Sequence, residues 1–322
     1  LSSLRILLRT LAVAGLSAAL IAPTAVARAE PTPAELTKQI EKSSTELERI
    51  VESYNKLNEE IKANKATAAA LQAKIGPLQA LAEQSRADVG TMAATAYKTG
   101  GLRTAEALLQ PGGSDAVLER LGTLAQLTRQ RQETVSGFTD NQRKLIDEKT
   151  RLDATLAREA AQAKQLNIGK QKIESDLKRL YELRRQAYGR ATEAPTRSGS
   201  AGSAPSIAGS AGTAVRYAYG AVGKPYVYGA DGPGGYDCSG LTLASWRAAG
   251  KSLPHNAAMQ WDATSRISRS SLQPGDLVFY SGLGHVALYV GGGQIIDAPS
   301  AGRNVSKRDM GIMPIAGYGR VR

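Results

Sequence analysis

Cys238 is the one cysteine among 322 residues, and it stands in Tyr236-Asp237-Cys238-Ser239-Gly240-Leu241, where a glycine-rich loop runs into a helix-like stretch. In a chain that opens with an export-type leader, a lone cysteine has no internal disulfide partner. It is either a small core residue or a thiol kept for its reactivity. Placement at a helix N-terminus predicts a pKa lowered toward the thiolate, because unpaired amides and the macrodipole favour an anion. A thiol nucleophile also needs a base, and the chain has two histidines. His285 heads the strand-like run His285-Val286-Ala287-Leu288-Tyr289-Val290, whereas His255 follows Leu253-Pro254 in a loop. The strand can hold an imidazole at hydrogen-bond distance, so His285 is the expected base.

A third member follows from parity. If Val290-Gly291-Gly292 closes a hairpin that pairs Tyr289 with Gly293, His285 falls opposite Asp297 on one face. Asp297 would accept from one imidazole nitrogen and fix the tautomer. A slip of one residue would break this pairing. With two histidines, one cysteine and no HExxH spacing, a zinc peptidase would lack ligands. The expected chemistry therefore uses no metal and no cofactor.

These residues need a frame. A helix over 214–219, an extended Tyr226-Val227-Tyr228, a loop over 231–235, a helix from Cys238 to a stop at Gly250, and strands over 276–280, 285–290 and 294–298 make an α+β domain. Its sheet is expected to be antiparallel, and the domain to span 214–322. Residues 191–213, rich in Gly, Ser and Ala, read as a flexible linker with a typical reach of about 25 Å, enough to let the domain move.

Residues 30–190 read as long helices. Thr32-Pro33-Ala34-Glu35 is a capping box with proline at the first helical position. Apolar residues then recur at Leu36, Ile40, Leu47, Ile50, Tyr54, Leu57, Ile61, Ala68, Leu71, Ile75 and Leu78, with Gly76-Pro77 a candidate kink. A second seam runs from Leu121 to Leu180, after a break at Gly100-Gly101 and Pro111-Gly112-Gly113. An all-α antiparallel coiled-coil hairpin is the economical arrangement, and a parallel dimer is the alternative.

Residues 1–29 have the form of a signal peptide: Arg5 and Arg9, a short apolar run, and Ala27-Arg28-Ala29 before cleavage. No later segment is apolar enough for a membrane helix, so no stable membrane insertion is expected after cleavage. The formal net charge of +12 and a pI near 9.7 suit an anionic wall or membrane face better than nucleic acid. The expected location is extracytoplasmic and cell-wall associated.

At this point the C-terminal segment resembles the NlpC/p60 cell-wall cysteine peptidases. Six collinear blocks carry the likeness: Lys224-Pro225-Tyr226-Val227-Tyr228-Gly229, Asp237-Cys238-Ser239-Gly240-Leu241, Leu253-Pro254, Pro274-Gly275-Asp276-Leu277-Val278-Phe279, His285-Val286-Ala287 and Ile296-Asp297-Ala298-Pro299. The leader and coiled coil further resemble actinobacterial Rip-type peptidoglycan hydrolases. The resemblance implies a papain-like core with Cys238 as nucleophile, His285 as base and Asp297 in the place where the family usually has His. It also implies that the Tyr226 hydroxyl helps form an oxyanion hole with the Cys238 amide. Asp237 and Ser239 would bind the free amino end of the substrate, and His255 would line the groove. The implied substrate is a peptidoglycan stem peptide cut between D-γ-glutamate and meso-diaminopimelate. An N-acetylmuramoyl-L-alanine amidase, a lipid acyltransferase and a non-catalytic scaffold are the alternatives. The hairpin could also fold back over the groove until a partner protein or protease moves it.

Overall fold

The computed structural model describes residues 32–99, 114–194 and 202–322. The leader, the glycine-proline break and part of the expected linker lie outside these residues. Among the described residues no helix is long and apolar enough to cross a membrane.

Two helices, α1 (Pro33–Thr99) and α2 (Ser114–Tyr188), pack along each other as the antiparallel hairpin. The capping box forms: Glu35 N–H donates to Thr32 Oγ1 at 3.3 Å, and Thr32 N–H donates to Glu35 Oε2 at 2.8 Å. The helix continues through Pro77. Of the expected seam, Leu36, Ile40, Leu47, Ile61, Ala68, Leu71 and Ile75 are buried. So are Val51, Glu52 and Asn55, which a simple two-helix seam does not account for.

The C-terminal domain follows. It contains α3 (Gly209–Ala221), α4 (Cys238–Ala248), α5 (Ala257–Ala263), β1 (Ser265–Ile267), β2 (Leu277–Tyr280), β3 (His285–Gly291), β4 (Gln294–Asp297), β5 (Ser306–Asp309) and β6 (Ile315–Arg320). All strand pairs are antiparallel, in the order β1-β6-β2-β3-β4-β5. Helices α3 and α4 cover one face, with Leu241, Ala244 and Trp246 packed among Leu277, Phe279, Val286 and Leu288. Helix α3 starts at Gly209, inside the stretch expected to be linker, and Glu193 at that stretch's other end accepts from Asn304 N–H at 3.1 Å. Strand β6 threads past α5 because Gly317 has no Cβ where the Trp261 ring lies; an added Cβ would sit 2.6 Å from it.

The hairpin is not held at linker's length from this domain. Ile40, Leu47 and Val51 of α1 and Ile173 and Leu180 of α2 belong to the same buried cluster as Tyr226, Cys238 and Leu241. Burial of the extra residues on α1 is thus burial against the domain.

Candidate active site

Asp237 caps α4, its Oδ1 accepting from Gly240 N–H at 2.7 Å, and this sets Cys238 as the first residue of the helix. Gln260 locks the same corner from α5: its amide donates to Ser239 O at 2.8 Å and Pro254 O at 2.9 Å. Gly240 is required here, since a Cβ would meet the Ala230 carbonyl oxygen and lie 2.9 Å from His255 Nε2.

Helix α4 packs on β3, which carries His285 at its start. The hairpin register differs from the expected one. Leu288 pairs with Ile296 and Tyr289 with Ile295, and the turn residues Gly292 and Gly293 have φ of 60° and 73°. The turn pairs Gly291 with Gln294, and an irregularity between Tyr289 and Gly291 brings the net shift from the expected register to two positions, so His285 and Asp297 are not directly opposite. An even shift keeps both on one face. His285 Nε2 and Asp297 Oδ2 lie 2.9 Å apart, both side chains buried. Arg308 of β5 holds Asp297 from the other side, its Nε donating to Oδ1 at 2.9 Å and its terminal nitrogen to Oδ2.

Burial alone would lift the Asp297 pKa, but the hydrogen bond from His285 and the Arg308 charge pull it below the usual carboxylate range. For His285, burial pulls the pKa down, and the bond to Asp297 with the charges of Glu48 and Asp297 outweighs it, so the pKa rises. Nδ1 is buried with no hydrogen-bond partner among the described residues; Glu48 Oε2 approaches it at 3.7 Å.

The thiol departs from expectation. Cys238 is 1% exposed, and its pKa is well above that of a free thiol, first by burial and then by the charges of Glu52, Asp237 and Glu48. These outweigh the helix N-terminus. The two glutamates come from α1. Glu52 fills the space beside the sulfur: Cys238 Sγ donates to Oε1 at 3.3 Å and Ser239 Oγ at 2.7 Å. Its Oε2 accepts from Ala257 N–H at 2.6 Å and Asn256 Nδ2 at 2.9 Å. Burial and the Asp237 charge raise the Glu52 pKa to about 7, and burial raises Glu48 to about 7 as well.

The remaining expected residues are all close by. Tyr226 is buried, its pKa pushed up by burial and then by the charges of Asp237, Cys238 and the two glutamates, so its ring borders the acidic cluster. Asp237 is fully engaged: besides the cap, Oδ1 pairs with His255 Nε2 at 2.8 Å, and Oδ2 accepts from Gly229 N–H at 2.8 Å and Asn55 Nδ2 at 2.9 Å. His255 therefore braces the cap carboxylate rather than lining an open groove. Burial lowers its pKa, but the bond to Asp237 and that charge raise it more. A separate pocket of about 700 Å³ opens between the hairpin and the sheet, lined by Arg184, Arg303 and Arg308 among others; neither Cys238 nor Glu52 lines it.

Sequence reasoning missed Glu48, Glu52, Asn55, Asn256 and Arg308. A signal for the first three existed: Ser44, Glu48, Glu52 and Asn55 recur in steps of four, four and three, a polar stripe on one helix face.

Residues 223–314 match the NlpC/P60 family model. A probable endopeptidase p60 of Listeria grayi is 45% identical over 106 residues, which cover 31% of this chain and 20% of that protein. A probable endopeptidase of Corynebacterium glutamicum (strain R) is 36% identical over 129 residues, 40% of this chain and 60% of that protein. The chain thus spans about a fifth of the length of the Listeria relative. The crystal structure of the NlpC/p60 domain of peptidoglycan hydrolase SagA aligns at 33% identity with a TM-score of 0.33, over 34% of this chain and 98% of that one. The likeness to the NlpC/P60 family lies in residues 223–314, the part of the chain that carries Cys238, His285 and Asp297.

Proposed function

We propose that this protein is an extracytoplasmic cysteine peptidase that hydrolyses an amide in the peptidoglycan stem peptide, between D-γ-glutamate and meso-diaminopimelate. One observation carries the reading: the only thiol in the chain heads a helix packed on the strand that holds His285, and His285 commits Nε2 to Asp297 while Nδ1 has no hydrogen-bond partner among the described residues. Nδ1 is then the nitrogen free to take the thiol proton, once the cleft is open.

In the reaction, Cys238 Sγ attacks the scissile carbonyl carbon as its proton passes to His285 Nδ1. The Cys238 amide and the Tyr226 hydroxyl stabilise the oxyanion. The imidazolium, held by Asp297, protonates the leaving amine, and the carbon–nitrogen bond breaks to leave a thioester. Water, deprotonated by Nδ1, attacks the thioester and frees the carboxylate and the thiol. Asp237 and Ser239 are the groups proposed to receive the amino end of the substrate. The names of the matched relatives, probable endopeptidases, support the reaction class.

Because α1 covers the thiol, the test uses purified sacculi with both the unaltered chain and its Glu52→Ala variant. A new amine on diaminopimelate, found by mass spectrometry and lost in Cys238→Ala, is expected. A new amine on L-alanine would mark an amidase instead. Wall breakdown that survives Cys238→Ala would end the enzyme reading.

A further inference from the structure

Three side chains of α1 face the three working parts of the cleft. Glu48 Oε2 lies 3.7 Å from His285 Nδ1, Glu52 sits on Cys238 and Ser239, and Asn55 Nδ2 donates to Asp237 Oδ2 at 2.9 Å. We infer that α1 is an internal inhibitor that shuts this cleft by imitating the acyl half of the substrate, with Glu52 in the place of the scissile carboxyl group and Asn55 in the place of its amino end. The naming of the imitated groups rests on the proposed function; the occlusion does not.

The chemistry of the contacts favours imitation over simple packing. A glutamate side chain ends in a γ-carboxyl group, the group that hydrolysis after a γ-glutamyl residue would release. Its two oxygens meet a converging set of donors: the thiol, the Ser239 hydroxyl, the Asn256 amide and the Ala257 N–H. Asn256 also donates to the Glu52 main-chain carbonyl at 2.8 Å, so the helix is gripped at backbone and side chain together. Asn55 brings an N–H donor, and no acceptor, to Asp237 Oδ2, as a substrate amine would.

Spacing on α1 makes the pair possible: residues three apart share a helix face, so one rigid element delivers both groups. A carboxylate buried without such partners would be strongly disfavoured, which is why its burial here reports a site built to receive it. The plug also disarms the thiol chemically. Its charge beside Sγ opposes ionisation, and Glu48 engages the nitrogen that would take the proton.

The test reads Cys238 access by iodoacetamide alkylation of the full chain and, separately, release of fragments from sacculi. Glu52→Ala is expected to speed alkylation at least tenfold, with Glu46→Ala, an exposed site on the same helix, unchanged. Asn55→Asp, nearly isosteric, sets a second carboxylate against Asp237 and should act in the same direction if Glu52→Ala perturbs folding, which circular dichroism would reveal. The dipeptide L-alanyl-γ-D-glutamate should protect the opened thiol. Faster alkylation with dipeptide protection but no wall cleavage would uphold the plug and sink the peptidase reading. Unchanged alkylation in both variants, or an opened thiol that the dipeptide fails to protect, would overturn the inference.

Discussion

Docking of α1 should weaken as pH rises, and the size of the effect follows from Glu52. Docked, its pKa is about 7; released into water it returns to 4.5. The docked state therefore holds more protons than the released state between these values. Docking is at full strength below about 4.5, declines as pH climbs through 7, and levels off above. The difference corresponds to about 3 kcal/mol, or about 300-fold in the docking equilibrium. Groups facing Glu52 are Asp237, Cys238 and Ser239, with Asn256 and the Ala257 N–H on its other oxygen and His255, Tyr226 and Glu48 within reach of its charge. Those facing Glu48 are His285, Asp297, Arg308 and Glu52, and Arg308 and His285 restrain its rise. The Glu52 charge helps to raise Glu48, so the effects of the two glutamates do not simply add. His285, raised in part by Glu48, acts in the same direction, its contribution lost as pH rises through its docked pKa.

Ala257 offers a direct readout. As the first residue of α5 its N–H has no partner within the helix, and Glu52 Oε2 supplies one at 2.6 Å. Hydrogen-exchange protection of this amide, corrected for intrinsic rates, should fall by about two orders of magnitude from pH 4.5 to 7.5. It should be flat in Glu48→Gln/Glu52→Gln. Protection that is constant with pH in the unaltered chain would refute the reasoning.

Other expectations concern the site itself. Asp297→Asn should lower kcat on muropeptides by about 10²–10⁴-fold in the Glu52→Ala background, because the imidazolium loses its carboxylate; a smaller loss in steady-state kinetics would demote the third member. Arg308→Ala strands a fully buried carboxylate and should cost about 3 kcal/mol of stability, measured by urea denaturation; an unchanged midpoint would mean that His285 alone satisfies Asp297. Gly240→Ala drives a methyl against the Ala230 carbonyl and His255 and should cost about 1–3 kcal/mol, seen as a lowered Tm.

The active-site corner was legible because its cues are local. Asp237 caps, Cys238 opens the helix, and Gly250 with φ of 76° follows its end. The His285–Asp297 pair was reached through the wrong register, and it survived because side-chain facing depends on parity, which a two-residue shift preserves. Strands β5 and β6 were not foreseen: Ser306–Asp309 is polar at every position, and β6 carries two glycines that tertiary contacts demand. The occupancy of the thiol was hidden for a different reason. Glu52 and Asn55 look like solvated positions of a coiled coil, and only a partner 186 residues away turns them into buried ones. The expected fall in the Cys238 pKa failed with them, since a helix end contributes less than burial beside a carboxylate.

What holds α1 on the domain differs from what makes it sensitive to pH. Two buried carboxylates cost more in lost hydration than their hydrogen bonds fully return, so the attraction must come from apolar contact. Ile40, Leu47 and Val51 of α1 supply it, all in one cluster with the C-terminal domain, and Val51 is completely buried. Val51→Ala should then weaken docking by about 1–3 kcal/mol at every pH, lowering Ala257 protection in parallel across the range. Glu52→Gln should instead flatten its slope. If Val51→Ala changed the slope, or Glu52→Gln only displaced the curve, the division of labour between grip and sensor would be wrong.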